Sequence, residues 1–90
     1  MDDRGAQAWC LAGLAGAAAL DEDPERAAWL WGAAEKLRLA LGVREAPAAH
    51  ATHERLKAQA REQLGPAAFA TQWAAGEAVP LSEAIERALQ

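Results

Sequence analysis

Three observations predict an all-α fold. Alanine dominates the 90 residues, Tyr is absent, and the β-branched aliphatics occur only at Val43, Val79 and Ile85. Alanine is the strongest helix former, whereas β-branched and aromatic residues populate strands. Apolar residues recur at three- and four-residue spacing in successive stretches, and Asp23-Pro24 and Gly65-Pro66 fall between those stretches. The expectation is one domain over residues 1–90 with about five helices, spanning roughly 4–20, 24–41, 48–64, 66–75 and 82–89.

The first helix carries Leu11, Leu14, Ala15 and Ala18 on one stripe at i, i+3, i+4 and i+7. Trp9, Gly13, Gly16 and Leu20 lie on its far side. A helix that is apolar all round needs more than one neighbour. Interior glycines cost about 1 kcal/mol each relative to alanine, so Gly13 and Gly16 suggest close approach of another backbone. The run Ala8 to Leu20 is shorter than the roughly 20 residues a membrane helix needs. It follows Asp2-Asp3-Arg4, where a secretory signal would carry positive charge. A buried helix is expected, and no membrane contact.

Asp21-Glu22-Asp23-Pro24 reads as a turn and a helix start. Asp23 is a suitable N-cap, Pro24 suits the first helical position, and the acidic cluster complements the helix dipole. The alternating oxygen ligands and central glycine of an EF-hand loop are missing. In the second helix Ala27, Leu30, Ala34, Leu37 and Leu41 form the stripe that faces the first. Residues on a helix are about 100° apart, so Trp31 flanks this stripe. Trp29 points to roughly the opposite side, with Ala33 and Ala40. That second face, and Leu39 outside the stripe, call for another neighbour. Gly42 suits the left-handed residue that ends a helix.

A loop is expected over Val43 to Pro47. The third helix carries Ala49, His53, Leu56, Ala60 and Leu64 on one stripe, with Arg55, Lys57, Arg61 and Glu62 mostly outside it. Gly65-Pro66 breaks the chain. The fourth helix sets Phe69 and Trp73 one turn apart as an aromatic anchor, and Gly76 ends it. Ser82 caps a last short helix bearing Ala84, Ile85, Ala88 and Leu89.

Little in the chain offers chemistry. Net charge is −4, with nine basic residues scattered among thirteen acidic ones. A nucleic-acid module would show a basic face, so no direct nucleic-acid contact is expected. Cys10 is the lone cysteine and cannot form an internal disulfide, which fits a reducing, cytoplasmic setting. Between Trp9 and Leu11 it reads as a small buried hydrophobe. His50, His53 and Glu54 give H-x-x-H-E, whereas zincin proteases use H-E-x-x-H with the glutamate as base. The order is wrong and no third ligand is evident, so His53 reads as partly packed and His50 as solvated. Neither phosphate-binding glycine motif is present. The only serine, Ser82, reads as a cap. Glu35 and Arg38 read as an i, i+3 surface ion pair. The residues point to a non-enzyme without metal or cofactor.

The first two helices resemble the tetratricopeptide pattern. Leu11, Leu14, Ala15 and Ala18 match the large, large, small and bulky positions of its first helix. Ala27, Trp31 and Ala34 match the small, large and small positions of its second. The expected architecture is therefore a tetratricopeptide-like hairpin followed by three further helices in right-handed, α-solenoid-like packing. One such unit is generally stabilised by stacked neighbours.

A wider resemblance covers essentially the whole chain. It rests on Cys10-Leu11-Ala12, Asp23-Pro24-Glu25-Arg26-Ala27-Ala28, Leu30, Gly32-Ala33-Ala34-Glu35, Leu37-Arg38, Pro47, Arg55 and Arg61. Leu64-Gly65, Phe69, Trp73, Gly76 and Leu81 to Ala84 complete it. Together they are similar to the extreme C-terminal segment of large bacterial LuxR-type and related signal-transduction ATPases, including those attached to adenylate-cyclase domains. The resemblance implies a sensor and protein-interaction platform within a transcriptional or signalling regulator. Nucleotide and DNA binding would belong to other domains. Tryptophan at positions 29 and 31, commonly aliphatic or polar in such segments, is a departure that suggests a particular partner surface. The expected partner-binding residues are Trp9, Trp29, Ala33 and Ala40. Their partners would be neighbouring repeats, regulator domains or a second copy in a homodimer. The alternative is a small-molecule effector held between helices against Trp31 or Trp73.

Overall fold

A computed structural model describes residues 4–42 and 47–88 and contains five helices, with no strand among the described residues. They are α1 (Arg4–Leu20), α2 (Pro24–Leu41), α3 (Pro47–Leu64), α4 (Pro66–Ala78) and α5 (Leu81–Ala88). Val43 to Ala46 of the loop expected over Val43 to Pro47, and Leu89 of the last helix, lie outside the described residues.

Each junction has a local cause. At the end of α1 the Asp23 N–H donates to the Ala18 carbonyl (2.9 Å) and the Glu22 N–H to that of Ala19 (3.3 Å). This is a Schellman closure, with Glu22 at φ 60° in the slot that glycine usually fills. Asp23 then caps α2, its carboxylate accepting from the Arg26 N–H at 3.3 Å. Gly42 closes α2 in the left-handed conformation. Between α3 and α4 the whole connection is Gly65, at φ 90° and ψ 148°. A Cβ disfavours that backbone, so glycine is required for α3 to turn directly into α4.

Three boundaries differ from the sequence expectation. α3 begins at Pro47 rather than Ala48. α4 continues through Gly76 to Ala78. α5 begins at Leu81, and the first bond of its opening turn runs from the Ala84 N–H to the Pro80 carbonyl at 3.0 Å. Ser82 therefore lies inside the first turn, and Pro80 holds the capping position.

α2 is the central element. Ala27, Ala28, Leu30, Trp31, Gly32, Ala33, Ala34 and Leu37 are all buried, so its middle is enclosed on every side. α1 lies along one side through Leu11, Ala12, Ala15 and Ala18. The expected stripe is present there, with Ala12 deeper than Leu14. α4 lies along the opposite side, and α3 and α5 complete the cover. Ala60 of α3 and Ala84 of α5 reach the common core.

The α2–α4 seam is held by two glycines. A Cβ built on Gly32 would overlap the Trp73 carbonyl oxygen and lie 3.0 Å from its carbon. One built on Gly76 would overlap the Trp29 carbonyl oxygen and lie 3.1 Å from the Ala33 nitrogen. Backbone thus meets backbone. In each helix the tryptophan precedes its glycine by three residues, and each glycine meets the other helix's tryptophan. The two segments are therefore locally antiparallel and related by an approximate two-fold.

Candidate functional site

The four residues expected to bind a partner separate into two environments. Trp29 is half-buried against the core, its carbonyl meets Gly76, and the Arg87 guanidinium lies 5.4 Å above its ring. Ala33 is only 6% exposed. The second face of α2, for which the sequence calls for another neighbour, is thus covered at Trp29 and Ala33 by α4 and α5 of the same chain rather than by a neighbouring repeat or second chain. The reason is the glycine seam, which lets α4 approach α2 too closely for any other helix to enter. Trp9 and Ala40 are exposed.

The uncovered apolar surface lies instead on α1. Trp9 is 42% and Leu20 74% exposed, and Cys10, Gly13 and Ala17 are exposed between them. These positions recur at three- and four-residue spacing, so they form one stripe along the helix. Cys10 therefore does not pack as the buried hydrophobe expected from its neighbours, because it lies on the stripe of α1 that faces away from α2 and the core. A Cβ built on Gly13 meets nothing within 4 Å, and the nearest atoms to one on Gly16 belong to the side chains of His53 and Leu56 at ordinary contact distance, 3.6 Å. Neither is a close-approach glycine. Leu39 of α2, at 65%, is also exposed.

The histidines take separate roles. The buried Trp31 indole N–H donates to His53 Nδ1 at 3.2 Å, tying α2 to α3, with the rings edge-on. His53 is partly packed and His50 exposed, as expected. His50 Nε2 lies 4.0 Å from Glu54, whose carboxylate also receives Lys57 Nζ at 3.3 Å. Among the described residues no group of three His, Cys, Asp or Glu is placed to hold a metal ion. Nor is any helix of those residues long and apolar enough to cross a membrane.

A groove of about 410 Å3 opens between α2, α3 and α4. Phe69 and Trp73 line it with ring centroids 5.7 Å apart and planes tilted by 35°. The aromatic pair read from the sequence is therefore present and partly open. Lys57 Nζ sits 5.4 Å from the Trp73 ring centre, a cation–π contact. Glu35 accepts from Arg38 Nε at 3.2 Å and from a second guanidinium nitrogen. The hydrogen bond from Arg38 holds the Glu35 carboxyl below its ordinary range against partial burial, helped by the charges of Arg38, Lys57 and His50. Arg61 also lines the groove, and its guanidinium has no ion-pair partner among the described residues.

The sequence reading overlooked Gly32 and Gly76 as packing residues. A signal was available: Trp29 to Gly32 and Trp73 to Gly76 repeat one Trp-x-x-Gly spacing. No family model matches the chain, and no curated protein or solved structure matches it.

Proposed function

We propose that this chain is a non-catalytic helical protein-interaction or sensor module of a bacterial transcriptional or signal-transduction regulator, working in the cytoplasm. The observation that carries the reading is the open apolar stripe of α1 from Trp9 to Leu20. Scattered exposed apolar side chains are ordinary, but a continuous stripe on one helix marks a contact surface. No charged residue lies between Arg4 and Asp21, so nothing along that length opposes an apolar partner. In a stack of helical hairpins each unit buries the face that its neighbour leaves open. The tetratricopeptide-like register of α1 and α2 agrees with this role. The partner would be an adjoining repeat, another regulator domain or a second copy of the chain.

Sedimentation of the chain over a range of concentrations, beside Leu20→Asp, tests the reading. Concentration-dependent association of the wild type, lost in the exposed-site variant, supports self-association through α1. Fusion to the upstream regulator domains tests the remaining partners, with protection of the Trp9 indole as readout. A chain that stays monomeric and whose Trp9 remains solvent-exposed in that fusion would overturn the proposal.

A further inference from the structure

We propose that the groove between α2, α3 and α4 binds a small carboxylate carrying an aromatic or branched apolar body. Glu35 is held by Arg38 and Glu54 by Lys57, so four of the five ionised groups in and beside the groove are paired within the chain. Arg61 is left over, giving the described residues of the groove one uncompensated positive charge in a chain whose net charge is −4. A planar guanidinium with free N–H groups matches a carboxylate through two parallel hydrogen bonds. One unpaired cation within an acidic molecule favours a monoanion over a more highly charged ligand.

Shape supplies the rest. Glu54, Lys57 and Arg61 occupy successive turns of α3, so the wall they form is about 10 Å long. Opposite them, the half-buried Phe69 and Trp73 line the groove. The volume of about 410 Å3 lies in the range of small-molecule sites. An apolar body would lie on the rings while its carboxylate reaches Arg61, and Lys57 would border it from the side. No described residue of α1 lines the groove, so this site stands apart from the interaction surface.

The test is a titration of the 15N-labelled full chain with 3-phenylpropionate, its neutral amide and acetate. The four tryptophan indole N–H signals are assigned by single Trp→Phe changes. We expect saturable movement of the Trp73 signal with the acid but not with the amide or acetate, while the Trp9 signal stays still. Arg61→Gln, at an exposed position, keeps the fold and weakens saturation about tenfold, the loss expected for a charge-assisted hydrogen bond. Equal responses to acid and amide, a response to acetate alone, an Arg61→Gln titration like the wild type, or no saturation at the solubility limit would each overturn the proposal. Movement confined to the Trp9 signal would overturn it too, while leaving the interaction reading of α1 intact.

Discussion

The middle of α2 and the outer side of α1 are built from the same residue types and end in opposite states. Both carry tryptophan, glycine and alanine at helical spacing. Around Trp29 and Gly32 the helix is closed over by α4, which brings its own Trp73 and Gly76. On the outer side of α1, Trp9 stays exposed and Gly13 faces open space. Apolar composition therefore does not decide burial here. Reciprocity does: α2 meets a helix bearing the matching spacing, and α1 does not.

The contrast is broken most sharply at the seam. Gly32→Ala drives a Cβ into the Trp73 carbonyl, where backbone rather than a flexible side chain must move. Overpacking of this kind costs about 3 kcal/mol, and a urea unfolding midpoint measures it. Gly76→Ala meets the Trp29 carbonyl in the same way and is expected to cost a similar amount. A loss below about 1 kcal/mol at both positions would mean that the two helices do not touch.

Gly13→Ala tests the uncovered side of α1. The added methyl meets no atom within 4 Å, so the change removes only the penalty of a mid-helix glycine. Stability of the free chain should rise by about 1 kcal/mol. A fall would show that α1 is covered in the free chain after all.

The smallest effect concerns the ion pair on α2. Arg38 lowers the Glu35 carboxyl in the folded chain, so the unfolded chain binds this proton first as pH falls. The contribution is complete above the ordinary value of 4.5 and is lost as pH drops through that value and on to the lowered one. Arg38→Met should therefore flatten part of the acid limb of stability below about pH 5, by a fraction of a kcal/mol because the pair is partly solvated. An unchanged acid limb in that variant would remove Arg38 as the cause.

Much of the fold could be read from local chemistry. Asp23-Pro24 specifies its own cap, Gly42 its own termination, and Leu11, Ala15, Leu30, Ala34 and Leu37 announce a buried stripe through their spacing. These signals act within a few residues and do not depend on a partner. Gly76 shows where such reading stops, because glycine both ends helices and admits neighbours. Its role as a packing residue depends on Trp29, which is remote in sequence. Cys10 and Trp29 were misplaced for the same reason: which side of a helix is covered depends on elements elsewhere in the chain. Arg61 looked like one more solvated cation on α3. Only the placement of Glu35, Glu54 and α4 around it reveals that it has no counter-ion among the described residues.

The glycine seam also bears on the order of assembly. α1 and α2 are consecutive and can zip together with little loop-closure entropy, whereas the seam joins segments more than forty residues apart. The hairpin is therefore the early structure, and the meeting of Gly32 with Trp73 and of Gly76 with Trp29 is a late, chain-ordering event. Damage to that meeting falls chiefly on the unfolding rate, so the seam acts as the latch on the native state's lifetime.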